Sequence, residues 1–302
     1  MGLNRIGRYF MPHNGGLLMH RLIAASIGVV CTVAVTQIAY AADLPVKAPA
    51  APVAVSHNWT GFYVGANIGG GWGNRDVSFS AIDPLLRDFF AFQDGAPAPI
   101  SFRTSGVIGG LQLGYNWQFN RNWLAGFETD FNGSGMDGSG SNLHIANGGP
   151  GGPIPFTQAV TESIKWFGTV RARLGYLPTD NLLAYVTGGF AYGRVERTGT
   201  YTSSNSYGID NGLFSFLCTA GTACFAGSSS KVATGWTLGG GIEYAFWQHW
   251  TLKAEYLYVS LEGQSLTETA LAFTPGETPS SFIAHFNRAN FNVARAGVNY
   301  RF

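Results

Sequence analysis

The chain has 302 residues, a formal net charge of +1 and 42 glycines, roughly twice the usual share of about 7%. Hydrophobic residues make up 46% and aromatic residues 14%, whereas charged residues reach only 12%, about half the share in typical soluble domains. This composition excludes a disordered chain and is untypical of a soluble enzyme, and because no later apolar run approaches about 20 residues, it also excludes a bundle of membrane-spanning helices.

The first 41 residues have the features of a cleaved secretory signal peptide. Arg5, Arg8 and Arg21 are accompanied by no acidic residue, and an apolar stretch at 22–39 follows them. The stretch ends in Ala39-Tyr40-Ala41, an A-x-A cleavage site, which predicts that residues 1–41 are removed. A retained signal anchor is the alternative.

The next segment, residues 42–57, is rich in proline and alanine and predicts an extended periplasmic leader. The folded domain is then expected to occupy residues 58–302. Loss of the three signal-peptide arginines leaves 15 basic residues against 17 acidic ones. This charge balance gives no indication of a nucleic-acid partner.

Eight segments of the domain alternate between apolar residues and small or polar residues, which is the period-2 pattern of β-strands. They are 59–72, 106–119, 123–131, 164–176, 182–192, 236–246, 250–258 and 294–302. The connections 120–122, 178–181 and 247–249 are of hairpin length, whereas 74–101, 132–156, 198–230 and 263–290 are long. In an antiparallel meander, the short and the long connections fall on opposite rims. The pattern therefore predicts an all-β fold, an eight-stranded antiparallel up-and-down transmembrane β-barrel with short periplasmic turns and four long extracellular loops.

Alternation alone fits a soluble lipocalin-like barrel as well, and the two barrels differ in which face points outward. Aromatic residues gather near strand ends on the apolar face, as Trp72, Trp117 and Trp250 do, which is typical of girdles at the two membrane interfaces. This favours the membrane barrel, with the apolar face toward lipid.

The opposite face of the strands carries glycines and ten charged residues of nearly balanced sign. They are Glu128, Asp130, Lys165, Arg171, Arg173, Glu243, Lys253, Glu255, Arg295 and Arg301. Long charged side chains interleaved with glycine fit the narrow interior of an eight-stranded barrel, where each charge can find a partner. We expect a lumen closed by ion pairs. Leu183 and Tyr185 depart from the pattern because they fall on the polar face.

Two cysteines, Cys218 and Cys224, lie in the longest predicted outer loop with five residues between them. In a chain exported through an oxidising compartment, a local disulfide is the favoured prediction, and two unpaired thiols are the alternative.

Two histidines, His144 and His285, lie in predicted outer loops that are rich in serine and could supply the base of a lipid A acyltransferase or deacylase. Neither stands at a fixed spacing from a nucleophile, and the two are isolated from each other in sequence. We therefore predict no catalytic, metal or cofactor site and expect that the protein is not an enzyme.

Three segments carry a resemblance to a known family: NWTGFYVGANIGGGWG (58–73), LLAYVTGGFAYG (182–193) and VARAGVNYRF (293–302). Together with the leader, they resemble the small outer-membrane immunogenic, porin-like β-barrel proteins of Gram-negative bacteria. The resemblance implies a location in the cell outer membrane, and it implies that Phe302, supported by Tyr300 and by Val298 on the same face, is the signal read by the barrel-assembly machinery. Some relatives are described as haem-binding or as weak porins.

These observations lead to the expectation of a surface protein that stabilises the envelope and displays four outer loops, with a lumen closed by side chains. The expected partners are outer-membrane lipid, lipopolysaccharide and the barrel-assembly machinery, with host factors or haem at the outer loops as further candidates. Two alternatives stay open: a barrel that binds or takes up haem or small solutes, and a lipid A modifying enzyme.

Overall fold

The computed structural model describes residues 57–148 and 152–302. The predicted signal peptide 1–41 and all of the predicted leader except His57 lie outside the described residues. None of the helices among these residues has both the length and the apolar character needed to cross a membrane.

The chain forms thirteen strands and one helix in the part that the structure describes. In chain order they are β1 Gly61–Ala81, α1 Pro84–Phe92, β2 Ile100–Gln118, β3 Trp123–Ala146, β4 Ile154–Thr179, β5 Leu182–Ser203, β6 Tyr207–Asp210, β7 Phe214–Cys218, β8 Ala223–Ala245, β9 Trp250–Leu261, β10 Gln264–Ala270, β11 Thr278–Pro279, β12 Ser281–Phe286 and β13 Ala289–Arg301.

Eight of these strands form a closed antiparallel ring in the order β1, β2, β3, β4, β5, β8, β9, β13, and β13 pairs with β1 to complete it. Toward the outer end, β10 and β12 take the places of β9 and β13 between β8 and β1. The ring therefore keeps eight strands along its length, which confirms the predicted eight-stranded up-and-down barrel. Because the ring is closed, each of its strands is paired on both sides, and no open edge of the ring faces lipid.

An apolar band surrounds the lower half of the barrel, between the short turns and the middle of the long strands. Its lower rim carries aromatic pairs such as Trp123 with Tyr176, whose ring centroids lie 5.2 Å apart, and its upper rim carries pairs such as Trp236 with Tyr258, at 5.5 Å. Phe62 and Trp72 lie ten residues apart on β1, and at about 3.4 Å per residue and a tilt of about 45° they span about 24 Å. This height matches the hydrocarbon band of outer-membrane barrels.

The strands continue beyond the upper girdle, further than the sequence predicted. Most of the predicted loops 74–101, 132–156, 198–230 and 263–290 is strand, and the actual connections at this end are 82–99, 147–153, 204–222 and 271–280. These extensions were not predicted because their outward side chains are mainly polar, as Ser78 and Thr198 are, whereas apolar side chains such as Val77 face inward. The apolar face of each strand thus changes from outward to inward where the strand leaves the membrane, and the pattern of the membrane band ends there.

A register irregularity between Ile164 and Trp166 corrects the predicted position of Lys165. An extra residue in one strand reverses the alternation on one side of it. Ile164 is therefore fully buried inside the barrel, whereas Lys165 lies on the outer face, with its side chain 49% exposed and 3.6 Å from Glu196. Lys165 does not face the lumen.

The helix α1 begins at a proline that is preformed for the first helical turn. The Asp83 carboxylate caps it by accepting a hydrogen bond from the backbone N–H of Leu86, 2.9 Å away. The helix buries Leu85, Leu86 and Phe89 in an apolar cluster at the outer end of the barrel. This connection is therefore a packed element that covers the ring.

Site-directed spin labelling will distinguish the band from the extension, in a background where Cys218 and Cys224 are replaced by serine. Labels at Leu238→Cys and Val298→Cys are expected to collide with lipid-soluble oxygen, because both side chains are exposed within the apolar band. Labels at Ser78→Cys and Ser228→Cys are expected to collide with a water-soluble nickel complex, because they lie on the outer face of the extension. Power-saturation EPR measures both accessibilities.

Lys165→Cys is the matched test of the register shift. On intact cells, a membrane-impermeant maleimide is expected to react with this variant and with Ser78→Cys. Protection of Lys165→Cys would contradict its outward position, and water accessibility at Leu238 and Val298 would contradict the outward apolar face.

Candidate functional site

The interior of the barrel is filled by layers of alternating chemistry, which can be followed along β4. From the short-turn end outward, its inward side chains include Leu177, Arg173, Arg171, Phe167, Glu162, Val160 and Phe156. Each lies within an apolar cluster or an ionic group that draws on several strands. The candidate site is this closed lumen together with its two ends.

Eight of the ten predicted lumen charges form one connected group within the membrane band. They are Glu128, Asp130, Arg171, Arg173, Glu243, Lys253, Glu255 and Arg295, which we call the lumen network. Four are acidic and four basic, so the network is neutral. Every one of these side chains is at most 3% exposed.

Glu128 is the acidic centre of the lower part of the lumen network. The Lys253 ammonium donates to both of its carboxylate oxygens, at 2.6 and 2.8 Å, and the Tyr63 hydroxyl donates at 2.7 Å. Arg171 also donates to it, and Arg173 bridges it to Glu243 with distances of 3.4 and 2.9 Å. One carboxylate therefore compensates charges from two strands, β4 beside it and β9 on the opposite side of the ring.

Asp130 and Glu255 form the upper part of the lumen network. Arg295 donates to Asp130 at 2.8 Å and through Nε to Glu255 at 2.7 Å. Arg171 reaches the same two carboxylates at 2.9 and 3.0 Å. Because each guanidinium joins two acids and each acid accepts from two guanidinium groups, the arrangement compensates the desolvation of all four groups.

Glycines make the room that these long side chains occupy. A Cβ at Gly114 would lie 2.3 Å from the Tyr63 ring, and a Cβ at Gly69 would lie 2.7 Å from the Cβ of Arg295. Such contacts are far below van der Waals distance, so any larger residue at these positions would displace the lumen network. The high glycine content thus has a steric cause.

An apolar layer that the strand pattern did not predict closes the lumen above the lumen network. It contains Ile108, Phe167, Leu257, Phe291 and Val293, all at most 1% exposed. The signal was present in the run 257–259, Leu-Tyr-Val, where apolar residues occupy both faces of one strand. A second missed group lies further outward, where Arg75 and Arg197 both donate through Nε to Glu162.

A further apolar core covers the outer end of the barrel. The α1 side chains pack there against Phe156, Tyr201, Phe216 and Phe225, and the Phe156 and Tyr201 rings stack with centroids 4.7 Å apart. A disulfide joins Cys218 at the end of β7 to Cys224 at the start of β8, within the same cluster. The segment between β5 and β8 is therefore a folded cap.

Glu268 is a single acid buried in the extension. Its only side-chain partner in the described part of the chain is Gln158, which donates to Oε1 at 2.8 Å, and its Oε2 has no partner there. Burial raises the pKa of Glu268 to about 8. The carboxyl is therefore protonated at neutral pH, a form that suits an oxygen without a cationic neighbour.

The remaining predicted residues do not form a catalytic constellation. His285 lies 2.7 Å from Ser80 Oγ and 3.2 Å from Ser265 Oγ. His144 Nε2 contacts the Asp94 backbone oxygen and lies 3.9 Å from the Asp94 carboxylate. The serine contacts and the acidic contact thus belong to different histidines, so neither site combines nucleophile, base and acid.

Arg301, the last of the ten predicted lumen charges, lies at the short-turn end. Its guanidinium donates to the Gln248 backbone oxygen at 3.3 Å, and no carboxylate in the described residues pairs with it. It is separate from the lumen network because it lies at the end of β13, beside the turn that joins β8 to β9. Phe302 beside it is 71% exposed and Val298 37% exposed on the outer face, and the Phe302 and Tyr300 ring centroids are 5.4 Å apart.

Comparison with known proteins places this barrel among relatives. The sequence model of the family described as "Outer membrane protein beta-barrel domain" matches residues 41–302. The 31 kDa outer-membrane immunogenic proteins of Brucella melitensis and Brucella suis are each 36% identical over 267 residues, which is 87% of this chain and 93% of theirs.

Solved structures with similar strand arrangements are more distant in sequence. OprG from Pseudomonas aeruginosa is 12% identical over 82% of this chain and 99% of its own, with a TM-score of 0.36. Neisserial surface protein A is 12% identical over 80% of this chain and 98% of its own, with a TM-score of 0.33.

Removal of one acid should destabilise the barrel through its former partners. Glu128→Gln leaves the network with an excess positive charge in a dry interior, and we expect a loss of about 3–5 kcal/mol in the free energy of unfolding. Urea unfolding in lipid vesicles, followed by the heat-modifiable mobility of the folded barrel on gels, measures the change.

Glu196→Gln is the matched control, because Glu196 forms its ion pair with Lys165 on the outer face and is 37% exposed. Its expected effect is below about 1 kcal/mol. Adding Lys253→Met to Glu128→Gln restores neutrality and should recover part of the loss. Equal urea midpoints for Glu128→Gln and Glu196→Gln would refute the role of the network.

Glu268 should make the stability of the extension dependent on pH. Its pKa is about 8 in the fold and about 4.5 when the carboxyl is exposed to water, so between these values the folded state binds the proton more tightly than the open state does. The free energy of opening is therefore expected to fall as pH rises from about 4.5 to about 8, by up to about 5 kcal/mol, and to level off outside this window. Hydrogen exchange of the β10 and β12 amides, corrected for intrinsic rates, measures it.

Glu268→Gln should remove this dependence and protect the same amides more strongly than the parent protein at pH 9. Glu262→Gln is the control, because Glu262 is exposed and close by on the chain. If the parent and Glu268→Gln proteins showed the same pH profile, Glu268 would not be the titrating group.

Proposed function

Because the chain belongs to the outer membrane protein β-barrel family, we propose that it is a non-conducting structural protein of the outer membrane that displays its outer extension and cap at the cell surface. The outer-membrane location follows from the family and from the relatives. The role rests on the closed lumen and on the packed extension.

The closed lumen is the observation that carries the proposal. Ions or solutes crossing the barrel would have to pass a lower apolar cluster containing Trp59 and Leu124, then the neutral lumen network, then the apolar layer around Phe167 and Phe291. An eight-stranded ring is just wide enough for side chains to fill it, whereas aqueous channels occur in barrels of about 16 to 18 strands. These features favour a structural role over solute uptake.

The extension supports the second half of the proposal. Strands β3 and β4 remain paired as far as Ala146 and Ile154, well above the upper girdle. Phe216 of the cap is fully buried against Phe225 of β8, with ring centroids 5.1 Å apart. A rigid body with polar outer faces is suited to presenting a fixed surface to antibodies or to other molecules outside the cell.

Planar-bilayer recording tests the proposal. The purified protein is expected to give no stable single-channel conductance, because apolar layers lie on both sides of the lumen network. A 16-stranded general porin inserted in the same bilayer shows that the assay detects open channels, and heat-modifiable mobility shows that the sample is folded. A reproducible conductance from the folded protein would refute the closed lumen.

A further inference from the structure

A pocket of about 350 Å³ lies at the short-turn end of the barrel. Its walls come from four places: His57 and Asn58 before β1, Asn181 in the turn between β4 and β5, residues 246–249 between β8 and β9, and Arg301 at the end of β13. This end carries the predicted periplasmic turns, so the pocket opens away from the cap. Neither the closed lumen nor the surface display uses it.

Arg301 brings an uncompensated positive charge to the pocket. Arg301 as a whole residue is 92% buried, and its Nη1 has no hydrogen-bond partner among the described residues. Glu243 is the carboxylate whose charge acts on Arg301, but it forms no ion pair with Arg301 and is already bonded to Arg173, Thr251 and Asn299. A buried guanidinium with an unused N–H requires an acceptor, preferably an anionic one.

His57 is the second unsatisfied group in the pocket. His57 as a whole residue is 91% buried, and its Nε2 has no partner in the described part of the chain. Burial and the Arg301 charge lower the pKa of His57 to about 4, so the imidazole is neutral at neutral pH. His57 therefore adds a hydrogen-bonding group without adding a second positive charge.

We propose that this pocket binds the carboxylate of a small periplasmic ligand, such as the C-terminal carboxylate of a short peptide. Arg301 would hold the carboxylate, and His57 would form a further hydrogen bond. A single cation favours a monoanion over a phosphate dianion, since the second negative charge of a phosphate would be left buried without compensation. The side-chain amides of Asn58 and Asn181 and the ring of Trp247 line the remaining space, which suits a peptide backbone and a small side chain.

Isothermal titration calorimetry on residues 42–302, folded in detergent micelles, tests the assignment with three probes. Acetyl-alanyl-alanine is expected to bind one to one, whereas its C-terminal amide and inorganic phosphate should bind at least tenfold more weakly. NMR titration of His57 gives an independent readout at the site. The acid, but not the amide, should raise the pKa of His57 above about 4, because a bound anion offsets the Arg301 charge.

Arg301→Gln is expected to weaken binding of the acid at least tenfold. Arg121→Gln should leave it unchanged, because Arg121 is an exposed cation in another turn at the same end. Equal binding of acid and amide, tighter binding of phosphate, or full binding by folded Arg301→Gln would each overturn the proposal. If Arg301→Gln does not fold, the comparison of acid with amide and the His57 titration in the parent protein still decide. The conductance experiment is independent of this outcome.

Discussion

The membrane-embedded half of the barrel depends on charge neutrality in a space that neither water nor lipid can reach. Removing eight ionised groups from water carries a large desolvation cost, which only close ion pairs and additional hydrogen bonds offset. The four acids and four bases of the lumen network meet this condition because Glu128, Asp130 and Glu255 each accept from two or more cations. The opposing glycines then follow as a steric requirement, since long side chains cross a ring that has no spare volume.

The extension above the membrane is stabilised in a different way. Its outer face is mainly polar, although Leu143 and Ile145 are exposed on it, and its interior is mainly apolar, so it resembles a soluble β-barrel placed on top of a membrane barrel. The two halves share their strands, and the ring remains continuous where β9 gives way to β10 and β12 to β13. A continuous ladder holds the cap in a fixed position relative to the band, which is why a closed barrel is an effective support for a displayed surface.

The strand pattern, the closed ring and the orientation of the apolar face could be predicted from the sequence because lipid imposes a strict alternation on every strand that touches it. Lys165 was placed on the wrong face because a single irregularity beside it reverses the alternation locally, and the period-2 pattern contains no sign of it. Leu183 and Tyr185, which departed from the pattern, do face inward: Leu183 packs in the lower cluster, and the Tyr185 hydroxyl donates to Glu255 at 2.8 Å. The cap and the extension could not be predicted, because their strands alternate between an apolar interior and water, and their packing depends on contacts distant in sequence.

Among the described residues, the buried ionisable groups that lack an equal number of opposite partners lie toward the ends of the barrel. The group of Arg75, Glu162 and Arg197 carries one excess positive charge beyond the upper girdle, Glu268 is a single acid further outward, and Arg301 is a single cation at the short-turn end. The effective dielectric constant rises as water approaches, so an unpaired charge costs less at these positions than at the level of Glu128. An unpaired group near an opening can also be compensated by a proton or by a ligand from solution, whereas one in the middle of the lumen cannot. The cost of an unpaired charge in a dry interior therefore explains both the neutrality inside the band and the residual charge at the ends. The groups that can bind a proton or a ligand from solution lie where solution can reach them.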